Sequence, residues 1–142
     1  MEQPNPMAPT TIETTFHVRY AETDQMGIVH HASYVVWLEE GRSSWLRSHG
    51  RSYADFEREG LMLAVSDLRV RFEQPARYDQ RVTVRCWVGE VRSRQVRFDY
   101  EIFAADSGTM FVTGHTKHIC IDHHGRVAKI PPEWQQYMRG EA

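Results

Sequence analysis

A single segment of this chain repeats apolar residues at helical spacing, while the runs that follow it repeat them at strand spacing. Tyr34, Trp37, Leu38, Gly41, Trp45 and Leu46 recur every three or four positions and form one continuous stripe. Glu39, Glu40, Arg42, Ser43 and Arg47 occupy the other positions. Ser48, His49 and Gly50 close the helix, with Gly50 as its C-cap. A shorter helical piece over Tyr53 to Glu59 stops at Gly60.

Before the helix, Phe16, Val18 and Tyr20 alternate with His17, Arg19 and Ala21, which predicts a strand with one buried face. Thr23 to Ile28 breaks that pattern, with Gly27 as the punctuation. After the helix the period is two again. Leu68, Val70 and Phe72 alternate with charged residues until Pro75. Val82, Val84, Cys86 and Val88 make the next run, and Val96, Phe98, Tyr100 and Ile102 the one after. A long run from Met110 to Ile121 follows, separated from its predecessor by the hairpin composition Ala105-Asp106-Ser107-Gly108. Pro131-Pro132-Glu133-Trp134 predicts a short C-terminal helix with proline in its first turn.

Strands polar on one face are antiparallel strands covered on one side only. One helix with a wide apolar stripe is available to cover them. The expected fold is α+β: a long helix inserted after the first strand and wrapped by a curved antiparallel sheet, the hot-dog architecture. Residues 16–142 are assigned to this one domain and residues 1–15, with Pro4, Pro6 and Pro9, to a flexible tail.

Bulk properties narrow the function classes. At 142 residues, 41% hydrophobic and 25% charged, the chain suits one globular domain with its own core. A net charge of -2 argues against nucleic acid as a partner. No apolar run is long enough to predict membrane insertion, and the first residues hold no apolar signal segment, so a cytoplasmic location is expected. Cys86 and Cys120 both fall in strand-like stretches and read as buried, reduced thiols.

The segment from Val18 to Tyr34 reads Val-Arg-Tyr-Ala-Glu-Thr-Asp-Gln-Met-Gly-Ile-Val-His-His-Ala-Ser-Tyr. It resembles the signature of hot-dog thioesterases of the 4-hydroxybenzoyl-CoA type, in particular the branch associated with the bacterial Tol-Pal envelope system. Glu39, Arg42 and the Ile130-Pro131 pair also match that family, and the likeness covers all but the first fifteen or so residues. The chain departs from it at Glu22, where many relatives carry Asp, and at His30, where many carry an aromatic residue. Glu22 precedes the catalytic position and is expected to change little. His30 bears on the acyl pocket.

The resemblance implies hydrolysis of an acyl-CoA thioester without metal or redox cofactor. It makes Asp24 the catalytic carboxylate, acting as nucleophile or as general base. The backbone amide of His31 becomes the main donor to the thioester carbonyl, and Gly27 the residue that permits the tight turn. The physical reading of the loop agrees. Unpaired N–H groups and the positive dipole end meet at a helix N-terminus, where they can polarise a carbonyl. Tyr34 and His30 are candidate substrate contacts. Arg92, Arg94 and Arg97 form a basic stretch suited to CoA phosphates, with Lys117 and Lys129 as weaker candidates.

A metal site is not expected. His115 and His118 stand three apart in a strand and face opposite sides, His123 and His124 lie in a turn, and His30 and His31 have no third ligand nearby. Other function classes remain: a non-catalytic acyl-CoA sensing module, a thioesterase acting on acyl carrier protein, and a hydratase of the same fold. A sensor would need a DNA-binding segment and a hydratase a different motif, and neither is found. A homo-oligomer is expected, a dimer at minimum and a tetramer by preference, because a lone sheet leaves open edges.

Overall fold

The computed structural model describes residues 10–48 and 50–140. Five strands form one antiparallel sheet: β1 (Ile12–His17), β2 (Leu61–Phe72), β3 (Arg81–Val91), β4 (Gln95–Ala104) and β5 (Met110–Asp122), in the spatial order β1-β3-β4-β5-β2. The long helix α1 (His31–Ser48) lies across β1, β3 and β4, while α2 (Tyr53–Arg58) packs on β2 and α3 (Pro132–Met138) on β3. This is the hot-dog arrangement that the patterning predicts. Register shifts between Val65 and Asp67 in β2 and between Val88 and Glu90 in β3 bend the sheet around the helix.

The whole stripe of α1 from Tyr34 to Leu46 is buried. It meets an inner sheet face of Val82, Val84, Cys86, Val88, Val96, Phe98, Tyr100 and Ile102. At Gly41 the helix rides so close that an added Cβ would sit 2.8 Å from Val84 Cγ1. Both cysteines are free and buried, and burial raises both thiol pKa values.

The structure corrects three expectations. The first strand begins at Ile12, so Ile12 to Thr15 belong to the domain and not to a tail; they pair with Cys86 to Thr83 of β3. Residues 1–9 of the assigned tail, together with His49, lie outside the described residues. The strand also ends before Tyr20, which stands exposed in a 3₁₀ turn over Tyr20–Glu22. Leu68 and Phe72 of β2, read as one covered face, are exposed, because β2 is a sheet edge, met by α2 and, at Phe72, by Tyr34 of α1.

Arg42, which stands outside the predicted stripe, is buried as well. It falls on the Leu38–Arg42–Leu46 row, four residues apart, so it shares their face. Its Nε donates to Tyr53 OH and its Nη1 to Tyr100 OH, each at 3.1 Å. Tyr100 OH then meets Thr116 Oγ1 at 2.7 Å, and Thr116 Oγ1 meets His118 Nε2 at 2.8 Å. A line of polar groups thus crosses the apolar core. Burial first, and the Arg42 charge second, lower the His118 pKa to about 4.

Candidate active site

The loop between β1 and α1 is held by its own backbone. Thr23 bridges Val29, Asp24 N–H donates to the Ile28 carbonyl at 2.8 Å, and Gly27 N–H donates to the Asp24 carbonyl at 3.0 Å. Gly27 closes the turn at φ +80, a left-handed conformation that side chains other than hydrogen resist. Asp24 Oδ1 accepts the Met26 N–H at 2.9 Å. Among the described residues Oδ2 has no partner.

Helix α1 starts directly after this turn. His30 caps it with its ring, as Nδ1 accepts the Ala32 N–H at 3.1 Å. The ring stacks on His31 with centroids 4.3 Å apart. His31 is the first residue of the 18-residue helix, and its N–H donates to no group among the described residues. The amide singled out in the sequence is therefore available to a ligand.

Asp24 and His31 open on one cavity of about 350 Å³, whose wall includes Tyr34, Phe72, Glu73 and Pro75. Tyr34 is buried beside Phe72, with ring centroids 5.7 Å apart, and its OH accepts the Ala76 N–H at 3.0 Å. That bond ties the segment after β2 to the helix. Desolvation raises the Tyr34 pKa, so the phenol stays neutral. The arrangement sets one unengaged carboxylate oxygen and one unengaged helix N–H before a mostly apolar space. That is what acyl transfer from a thioester requires.

Sequence reasoning missed two parts of this site. One is the wall after β2, Phe72 to Pro75, whose only signal was Pro75 ending a strand. The other is Glu22, which does far more than precede Asp24. Its carboxylate accepts the Arg19 N–H at 2.7 Å, the Arg19 guanidinium at 2.9 Å and the Trp37 indole N–H at 2.5 Å. Its carbonyl accepts the His30 N–H at 2.8 Å and the Ser33 hydroxyl at 3.2 Å. Desolvation opposes the charge on Glu22, yet the bonds from Arg19 and Trp37 outweigh it and lower the pKa.

The basic stretch is not brought to the cavity within one chain. The Arg94 carbonyl accepts the Cys120 N–H, and Cys120 pairs with Leu63. Phe72, on the cavity wall, lies nine residues farther along the same strand, or about 30 Å at strand rise. Arg92 is held by Glu90 at 2.7 Å, and Arg97 by Asp99 at 2.9 Å. Among the described residues no three His, Cys, Asp or Glu side chains gather as metal ligands. His118 faces the core and His115 the outer sheet face, where it lies 3.7 Å from Asp67.

The fold has known counterparts. A DHNA-CoA thioesterase from Staphylococcus aureus superposes with a TM-score of 0.83 at 33% identity, over 89% of this chain and 87% of that one. A 1,4-dihydroxy-2-naphthoyl-CoA thioesterase from Synechocystis gives a TM-score of 0.84 at 26% identity, over 91% and 96% of the two chains. In Bacillus subtilis (strain 168), a relative with the provisional name acyl-CoA thioesterase YneP is 34% identical over 82% of this chain and 87% of its own. The profile of the thioesterase-like superfamily matches residues 18–137, a span that holds the Asp24 turn, the whole of α1 and all the strands after it, and the chain belongs to that superfamily.

Proposed function

We propose that this chain hydrolyses acyl-CoA thioesters to the free acid and CoA, with Asp24 as the catalytic carboxylate and the His31 N–H as the carbonyl donor. The observation that carries the reading is their meeting at one cavity, each with an unengaged atom. The thioester carbonyl oxygen would accept the His31 N–H while its carbon faces Asp24. In one route Asp24 attacks, CoA leaves as the thiolate, and water cleaves the acyl-aspartate. In the other, Asp24 takes a proton from water as its oxygen attacks the carbonyl carbon, the C–S bond breaks, and the CoA thiolate leaves and takes up that proton. Neither route calls on a metal.

Within the superfamily, the Val18–Tyr34 segment supports the 4-hydroxybenzoyl-CoA type and its Tol-Pal-associated branch. A cytoplasmic site of action fits the CoA substrate. Among the described residues no helix is long and apolar enough to cross a membrane. Edge strand β2 exposes Val65, Leu68 and Phe72, which supports edge-to-edge pairing of two copies and stacking of two such dimers. Phe72 belongs to both that edge and the cavity wall, so each site would be completed by the partner copy.

A steady-state screen of a panel of acyl-CoA and acyl carrier protein thioesters tests the reading. Turnover of one or more CoA esters is expected. Hydrolysis of the carrier-protein esters alone, or of none, would overturn it.

A further inference from the structure

The first three amides of α1 meet three different fates. Ser33 N–H donates to the His30 carbonyl at 2.9 Å, Ala32 N–H donates to the His30 ring at Nδ1 at 3.1 Å, and His31 N–H is left for a ligand. His30 therefore closes two of the three donors and isolates the one beside Asp24. Its backbone is fixed from the other side, since its own N–H donates to the Glu22 carbonyl at 2.8 Å. The His30 ring is exposed and forms no part of the cavity wall. It lies against the His31 ring, with centroids 4.3 Å and planes 28° apart.

A backbone N–H can only donate, so the bond to Ala32 fixes the state of the ring. Nδ1 holds a lone pair, and the single ring proton is on Nε2. The usual capping residues accept with an oxygen, which keeps its lone pairs near neutral pH. An imidazole differs, because histidine changes charge between about pH 5 and 8. With a proton on Nδ1, the ring and Ala32 would face each other as two donors, and the new charge would stand at the positive end of the helix dipole. Among the described residues no carboxylate pairs with His30 to offset it. The titratable or charged groups of the elements that meet here are otherwise engaged. Asp24 accepts the Met26 N–H, Glu22 is held by Arg19 and Trp37, Glu73 by Arg71, and Arg77 reaches the Gly27 carbonyl. His31, stacked on the ring, is the remaining one.

We propose that His30 is a positioning residue for the carbonyl donor and makes it acid-sensitive. While Nδ1 is unprotonated, the ring locks the first turn of α1 and leaves the His31 N–H as a single aimed donor. When Nδ1 takes up a proton, Ala32 is released, the turn loosens, and hydrolysis is switched down. A carbocyclic ring at this place would have no acceptor to lose. The role rests on the acyl-CoA reading, while the cap itself does not.

The test uses the full chain and two variants. His30→Asn keeps a capping acceptor that does not titrate, and His30→Phe keeps a ring against His31 without an acceptor. Their kcat and KM for the best acyl-CoA of the panel are measured at pH 8 and pH 5.5, with circular dichroism showing each protein folded at both. Dividing wild type by His30→Asn removes the titrations that both share, those of Asp24, His31 and His118. The kcat ratio is expected to fall about tenfold from pH 8 to pH 5.5 with the KM ratio level, because an aimed donor acts on the transition state. At pH 8, kcat of His30→Phe should lie about tenfold below that of His30→Asn, the scale of one capping bond. In ¹⁵N-labelled wild type the Ala32 amide should shift in step with the His30 ring over this range, and in His30→Asn it should stay still. A kcat ratio equal at the two pH values, a fall carried by KM, His30→Phe equal to His30→Asn at pH 8, or an Ala32 amide that ignores the ring would each overturn the role. An Ala32 amide that follows the ring, with no turnover of any CoA ester, would keep the cap and sink the hydrolysis reading.

Discussion

The Glu22 carboxylate accepts the Trp37 indole N–H at 2.5 Å, and so joins the turn before the candidate catalytic residue to the buried face of α1. Trp37 is 1% exposed and sits two helical turns into the core. Through this bond, and through its carbonyl on His30 and Ser33, Glu22 sets where Asp24 stands relative to the first N–H of the helix. Glu22→Ala leaves a buried indole N–H unpaired, a loss of about 1–3 kcal/mol of stability. The expected outcome in chemical denaturation is a lower midpoint. In kinetics, kcat should fall and KM hold, because placement of the turn is disturbed and the cavity is not. A variant with wild-type kcat would mean that the turn holds itself.

Asp24→Asn keeps the size of the side chain and can keep the bond to Met26 by its amide oxygen. It removes the only group in the turn able to attack or to take a proton. A fall in kcat/KM of about 10²–10⁴ is expected with an unchanged thermal midpoint. A variant retaining more than about a tenth of wild-type kcat/KM would remove Asp24 from the mechanism.

Gly41 marks a close approach of helix and sheet along α1. A methyl group there would meet Val84 Cγ1 at 2.8 Å, with Cys86 Cβ at 3.5 Å. The gain in helix propensity from Gly41→Ala is about 1 kcal/mol, and overpacking a fixed core costs about 1–3 kcal/mol. The net expectation is destabilisation, read as a lower denaturation midpoint. A more stable Gly41→Ala protein would show that α1 can shift off β3.

The long periods carried the fold. The stripe from Tyr34 to Leu46 and the alternations of β3 and β4 are legible because each repeats over several turns or pairs on one covered face. Where cover is missing, the pattern misleads. Leu68 and Phe72 alternate as core residues would, yet stand half-exposed on an edge strand. Arg42 shares the row of Leu38 and Leu46, and its buried partners Tyr53 and Tyr100 come from tertiary packing that helical spacing does not encode. In the site, Asp24, Gly27 and His31 were legible as a local motif. Phe72, Glu73 and Pro75 were not, since they reach the cavity through sheet pairing that no local spacing encodes. The arginines, clustered in sequence, lie at the far end of the sheet from the cavity of their own chain.

The line from Arg42 to His118 predicts acid lability with a definite sign. His118 titrates near its usual 6.5 when unfolded and at about 4 in the folded protein. Between those values the unfolded chain binds the extra proton and the folded chain does not. Stability is therefore fully present above about pH 6.5 and is lost as pH falls toward 4. The gap of about 2.5 units corresponds to roughly 3 kcal/mol at most. Glu22, with its lowered pKa, adds loss in the same direction below the ordinary carboxylate range. His118→Gln keeps a polar partner for Thr116 but cannot take up the proton. The variant is expected to be less stable at pH 7.5, where His118 packs well, and to lose less stability than wild type on going to pH 5. Denaturant midpoints at the two pH values read this directly. Parallel lines for wild type and variant would show that His118 does not set the acid limb, and that the buried arginine leaves its proton affinity unchanged.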